Sequence, residues 1–290
     1  MKHLEKTTFQ SEFNLALMLQ IGLGLNKKIM FAFILLLAGW LSDAQPAKSK
    51  IDKPVNLGEK LEFKLSYGWF TVGRASWVTD SKFHEYDGQE CYKLKVCAKS
   101  SGLLGVFAKV NDEWGEYMRV EDFMPMMAYR NLEEGKYRLD EKTYFDYNDK
   151  KIKHDHIKRG KVKPTEYFDM DKARLGMLGG FMQMRSIDFS KYKKDDRVKI
   201  PAFFEGETYE LEVIYKGVVE LKSKVGQLRA YKIIPVMPEN KIFPGKYPIT
   251  AWFTADRNRL PLRVDAKMSF GTTYVELTNY ENVRYGPDYR

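Results

Sequence analysis

Alternation of apolar and polar residues with a period of two dominates the chain from residue 57 onward. Leu61, Phe63, Leu65 and Tyr67 fall on one side of an extended segment, with Glu62, Lys64 and Ser66 on the other. That is the pattern of a half-buried strand. Gly68 interrupts it and residues 69–79 resume it, with Gly73 placed for a bulge or a close backbone approach. Tyr86-Asp87-Gly88-Gln89 predicts a tight hairpin, because Asp-Gly accommodates the positive φ angles of the turn. Residues 91–98 alternate again, followed by strands over 111–119, 127–132 and 137–147. Residues 150–157 and 161–168 flank Lys158-Arg159-Gly160 as a further hairpin. Beyond them lie 197–204, 208–215, 218–221, 229–236, 250–254, 260–268 and 272–280.

Helical spacing is convincing once, over 171–185, where Leu175, Leu178, Phe181 and Met182 share a face. Asp169 or Asp171 is placed to cap its start. Gly176, Gly179 and Gly180 each weaken it by about 1 kcal/mol against Ala, unless the helix must pack closely on something. A dozen or more strands in successive hairpins, with one short helix, predict an all-β fold. The sheet is large, curved and antiparallel, either barrel-like or a sandwich.

Before the strands stands a different pattern. Lys27 and Lys28 precede an apolar run from Ile29 to Leu41, and Ser42-Asp43-Ala44 then offers small residues at the −3 and −1 positions of a cleavage site. The run is shorter than the roughly 20 residues of a spanning helix, so it reads as a cleaved signal, not a retained anchor. No Cys follows it, which excludes lipidation there. The expected division is therefore a signal segment over 1–44, a flexible tether over 45–56 and one β-rich domain over 57–290. An upstream apolar stretch, 13–25, leaves Met18 open as an alternative start. Export to the periplasm follows. It redirects a net charge of +9 away from nucleic acid and toward anionic envelope material.

Two cysteines in an exported chain invite a disulfide. Cys91 and Cys97 lie on one strand, about 20 Å apart at its rise per residue, and a disulfide needs about 7 Å or less. Both are expected to be free.

Several segments resemble the exported bacterial family catalogued as domain of unknown function 3108. They are Gly58-Glu59-Lys60-Leu61-Glu62-Phe63 with Val72-Gly73-Arg74-Ala75, then Val110-Asn111-Asp112 with Pro125, and the block from Ile249 to Val264 that contains Trp252. The likeness runs from about Leu57 to Tyr280 and implies an exported β-rich domain with no catalytic residues to carry over. The Gln45 mature start and the Tyr- and Lys-rich composition are also similar to exported proteins of the Bacteroidetes.

Candidate chemistry is sparse. There is no Gly-x-Ser-x-Gly, no His-Glu-x-x-His and no phosphate loop, so no catalytic residue, cofactor or metal is expected. His154-Asp155-His156 puts two imidazoles on one strand face, but among Lys151, Lys153, Lys158 and Arg159 it reads as a solvated hairpin. Those four basic residues are a candidate contact for an anionic membrane surface, or a sheet edge blunted against aggregation. Met177, Phe181 and Met184, with Trp252, are candidates to line a cavity for a lipid or other apolar envelope molecule. A carrier of this kind requires an apolar pocket of at least about 300 Å³ beside the helix. The alternatives are a structural or interaction component of the envelope with a filled interior, and an enzyme whose carboxylate or His site only the tertiary structure reveals.

Overall fold

The computed structural model describes residues 53–102, 109–170, 175–204, 207–236, 245–269, 271–286 and 288. The signal segment and residues 45–52 of the tether lie outside them. The strands are β1 (Lys60–Tyr67), β2 (Phe70–Thr79), β3 (His84–Tyr86), β4 (Gln89–Ser100), β5 (Asn111–Arg119), β6 (Pro125–Glu134), β7 (Tyr137–Asp146), β8 (Lys151–Lys158), β9 (Lys161–Val162), β10 (Glu166–Asp169), β11 (Arg197–Phe204), β12 (Glu207–Ser223), β13 (Gly226–Pro235), β14 (Ile249–Thr254), β15 (Pro261–Met268) and β16 (Gly271–Glu281). Helix α1 (Met177–Ser186) and a one-turn 3-10 helix, Phe189–Lys191, lie between β10 and β11.

The expected all-β architecture is what forms. One 16-stranded antiparallel sheet runs β10-β8-β7-β6-β5-β4-β2-β1-β16-β15-β14-β13-β12-β11, with β3 on β4 and β9 on β8. First and last strands pair in its middle, Lys60 opposite Glu281 and Tyr67 opposite Thr273. Its two free edges, β10 and β11, are the strands that flank α1. They do not pair. Instead Leu175 bridges to Ala202 on β11, and Phe203 of β11 packs against Phe145, Ile152 and Met170 from the opposite end of the sheet. Among the described residues, these side chains and the two backbone hydrogen bonds of the Leu175 bridge, not a ladder between the edge strands, hold the two ends of the barrel-like sheet together.

Cross-strand register orders the concave face into rows. Thr79, Leu94, Glu116, Ala128, Thr143, His154 and Glu166 are successive direct partners from β2 to β10. The next row is Trp77, Val96, Trp114, Arg130, Glu141 and His156. Helix α1 fills the concavity and packs on β5 and β11. Leu178 and Met182 join the core of the first-half strands, Met184 joins the core of β11–β15, and Phe181 touches both.

Four expectations need correction. The helix begins at Met177, not near Asp171, and no Asp caps it; Asp171 itself lies outside the described residues. The tether does not reach 56, since Val55 is 2% exposed and packed in the core. Segments 208–215 and 218–221 are one 17-residue strand, β12, with a register shift between Tyr215 and Val218. Gly217 sits there at φ 93°, so the glycine makes a bulge where the sequence suggested a break. Finally, His154 is 4% exposed and faces the interior, so the solvated-hairpin reading fails for it.

Candidate functional site

Helix α1 has Gly176 as its N-cap and no side-chain cap of its own. Glu116 supplies one from across the concavity. Its Oε2 accepts the Leu178 N–H and its Oε1 the Gly179 N–H, both at 3.1 Å. A Cβ on Gly176 would lie 2.4 Å from Oε2, and one on Gly179 2.7 Å from Oε1. The glycines that weaken the helix are therefore what lets it seat on the carboxylate. Burial pushes the Glu116 carboxyl up to about 8, against the two N–H bonds that favour its charged form.

At the other end of α1, Arg185 is fully buried and forks onto Glu59, Nη1 to Oε1 at 2.6 Å and Nη2 to Oε2 at 2.9 Å. Nη2 also donates to the Pro54 carbonyl and Nε to that of Asn258. Arg259 donates to the Arg185 carbonyl at 2.9 Å. The helix is thus held at both ends by buried acidic side chains, Glu116 from β5 and Glu59 from the turn before β1.

Beside Glu116 lies a second polar cluster. Arg130 donates twice to Glu141, at 2.8 and 2.5 Å. His154 Nδ1 is 3.0 Å from Thr143 Oγ1, and its Nε2 is 3.6 Å from Glu141 Oε2. Burial holds the His154 imidazole below its ordinary pKa, so the ring is mainly neutral at pH 7. Between this cluster and the helix is a cavity of about 30 Å³, bordered by Glu116, Arg130, Glu141, Thr143, Met177 and Phe203. It has room for a water molecule. The cavity described at this helix is about a tenth of the at least about 300 Å³ expected for a carrier, and Met182 and Met184 of the helix are fully buried in the core.

A larger concavity, about 800 Å³, lies across β1, β2, β4 and β16 on the other face of the sheet. Lys64, Arg74 and Lys99 line it. Lys64 is the direct cross-strand partner of Arg74, and Arg74 of Lys99. Three cations therefore stand in one row. Among the described residues none of them has an acidic partner within ion-pair distance. The one carboxylate of the lining, Glu62, is held by Lys60 at 2.7 Å and by Asn279. Thr71, Ser76, Cys97 and Thr278 add hydroxyls and a thiol. Cys91 and Cys97 are both free thiols.

The candidate residues named from sequence are scattered. Met177 borders the small cavity, Phe181 lies edge-on to Trp77 with ring centroids 5.4 Å apart, and Met184 is buried in the other core cluster. Trp252 alternates with Ala251 and Phe253, which pack with Met184, and its indole lies between Lys232 and Arg263. On the hairpin, Lys151 pairs with Asp169 and Lys153 with Asp155. Lys158 is half-buried opposite Leu139, and Arg159 turns the chain at φ 53°. Sequence reasoning missed Glu116, Glu166 and the Lys64–Arg74–Lys99 row. An acid at an apolar phase of β5, in Asp112-x-Trp114-x-Glu116-x-Met118, was the available signal for the first; the others emerge only from strand register.

A family model described as "Protein of unknown function (DUF3108)" matches residues 62–278. No curated protein matches the chain. Among solved structures, a β-barrel-like protein of domain of unknown function DUF1849 from Brucella abortus aligns with a TM-score of 0.51 at 9% identity, over 78% of this chain and 98% of that one. It supports the barrel-like fold. A candidate exported protein of YmcC-like fold from Bacteroides fragilis aligns at 0.37 and 9% identity, over 79% and 98%. A candidate lipoprotein from Parabacteroides distasonis aligns at 0.30 and 8%, over 81% and 100%. No helix among the described residues is long and apolar enough to cross a membrane.

Proposed function

The chain belongs to the DUF3108 family of proteins of unknown function, and within it we propose an exported, non-enzymatic binding protein of the cell envelope that holds the anionic headgroup of an amphipathic lipid on the outside of its sheet. One observation carries this reading: the row Lys64, Arg74 and Lys99 in the 800 Å³ concavity. Like charges directly opposite each other on neighbouring strands are destabilising. An anionic ligand would turn that repulsion into attraction. The hydroxyls of Thr71 and Ser76 border the same space and would donate to phosphate oxygens; that of Thr278 already donates to the Glu62 carbonyl. The hairpin of Lys151 and Lys153 is less suited, since Asp169 and Asp155 already neutralise those two heads.

Co-sedimentation with vesicles of phosphatidylglycerol in phosphatidylcholine tests the reading. Each basic residue near an anionic surface is worth about 1 kcal/mol, so Lys64→Gln, Arg74→Gln and Lys99→Gln together should weaken binding on the order of 100-fold. The matching hairpin variant, Lys151→Gln, Lys153→Gln and Arg159→Gln, should bind nearly as the parent does. The reverse ranking, or equal binding to pure phosphatidylcholine, would refute it.

The burial of α1 side chains in both core clusters favours a second reading, a structural or protein-interaction component of the envelope. Native mass spectrometry of protein taken from its own envelope separates the two. A reproducible lipid adduct favours binding; a protein adduct with no lipid favours interaction.

A further inference from the structure

On the concave face, at the seam between the sheet's two ends, the geometry points to a zinc-class metal site made by His154, His156 and Glu166. His154 and His156 are two residues apart on β8, so both imidazoles face inward. Glu166, on β10, is the direct cross-strand partner of His154. One ligand atom from each of the three lies within 4.8 Å of the others. Donors around a tetrahedral zinc at about 2.0–2.2 Å stand about 3.4 Å apart, so closing the site takes at most about 1.4 Å of movement. Glu166 can supply it, being exposed and on a four-residue edge strand.

Three further observations support an ion here. His156 Nδ1 is buried and has no hydrogen-bond partner, and a buried polar atom of that kind calls for an ion or a water. His154 is already oriented as a metal ligand is: Thr143 Oγ1 engages Nδ1 at 3.0 Å, which leaves Nε2 for coordination. The charges also suit a cation. Glu141 Oε2 stands 3.6 Å from that Nε2, and the nearby Arg130 guanidinium is neutralised by donating two hydrogen bonds to Glu141. Lys151 and Lys153 alternate onto the opposite face and pair with Asp169 and Asp155.

Two imidazoles and one carboxylate match Zn²⁺ better than Ca²⁺ or Mg²⁺, which take oxygen ligands. Three protein ligands leave a fourth position, and the exposure of Glu166 gives water access to it. The site lies on the opposite face from the basic concavity and does not depend on the lipid reading.

The test uses untagged protein stripped with EDTA, titrated calorimetrically with ZnSO4. One Zn²⁺ per chain is expected, with His156→Ala and Glu166→Gln each weakening affinity at least 10-fold. Circular dichroism verifies that both variants fold. Co²⁺ in the parent protein should give the intense visible absorption of a four-coordinate ion, a readout that needs no variant. Absence of stoichiometric Zn²⁺ binding, or binding unchanged in the double variant, would overturn the site.

Discussion

Arg185 and Glu59, 126 residues apart in the chain, form a two-armed ion pair in which neither side chain reaches solvent. The pair ties the C-terminal end of α1 to the turn before β1. Two backbone carbonyls, of Pro54 and Asn258, accept two further guanidinium N–H groups. Removing the arginine strands a buried carboxylate. Arg185→Ala should therefore cost about 3–5 kcal/mol in urea denaturation. The combined change Glu59→Leu with Arg185→Met should recover much of that loss, because a well-packed apolar pair often equals a buried ion pair. A single arginine variant within 1 kcal/mol of the parent (about the scale of an exposed pair) would show that the pair is dispensable.

Glu116 gives the protein a defined dependence on pH. Its carboxyl titrates at about 8 in the fold, against an ordinary 4.5. Between these values the native state holds a proton that the unfolded state has released. Stability should therefore be greatest below pH 4.5 as far as this group is concerned, fall as pH rises toward 8, and level off above it. The full swing is on the order of 5 kcal/mol. Asp112, pushed up to about 6 by burial, adds a contribution of the same sign at lower pH. In Glu116→Gln the decline between pH 6 and 8 should largely vanish. The variant should also be about 1–3 kcal/mol less stable than the parent at pH 5, since the amide NH₂ faces one of the two helix N–H groups. A parent–variant difference that is constant from pH 5 to 9 would rule out the elevated carboxyl.

The row of cations implies opposite effects on stability and binding. Arg74→Gln removes the middle charge between Lys64 and Lys99. Without ligand, the urea midpoint should rise by the equivalent of about 0.2–1 kcal/mol, and the gain should shrink in high salt as screening replaces the substitution. Binding to anionic vesicles should fall in the same variant. A loss of stability at low salt would mean that Arg74 makes a contact worth more than the repulsion it suffers.

The two thiols should differ sharply in reactivity. Cys91 is fully buried, and burial pushes it up to about 11. Cys97 is partly exposed at the concavity, with its thiol raised by burial and by Glu113. A neutral maleimide at pH 7 should modify Cys97 slowly and Cys91 only after unfolding, as read by peptide mass mapping. Anionic vesicles should slow the Cys97 reaction if the concavity is the binding face. Labelling of Cys91 in the native protein would contradict its burial.

Much of this fold was legible in the pattern of residues. Asp87-Gly88 forms the expected turn, with φ of 50° and 68°, and the strand phases place Leu61, Trp77 and Leu94 inside. What remained hidden depends on register and on distant partners. The start of α1 was misplaced because its cap comes from Glu116, a residue 62 positions away. The break at Gly217 was misread because a bulge and a loop look alike along one strand. Two histidines at a spacing of two announce a shared face but not which face is inside. Only the pairing of β8 with β10 brings Glu166 to them. Lys64, Arg74 and Lys99 belong to three different strands, and nothing local shows them to be neighbours.

The pairing of β1 with β16 has a consequence for how the molecule assembles. Read around the sheet from β11 through β16 to β1 and on to β10, strand order follows chain order as if the two termini were joined. The sheet is a simple meander whose ends have been cut in its middle instead of at its edge. Every other ladder can zip between strands close in sequence, whereas this one must bridge nearly the whole β-rich region. Such long-range closure is slow. During synthesis the two halves stay unlinked until the last strand emerges, so the finished shape becomes available only to the complete chain. A permuted chain opened between β10 and α1, with its old termini joined by a short linker, should fold faster to the same sheet.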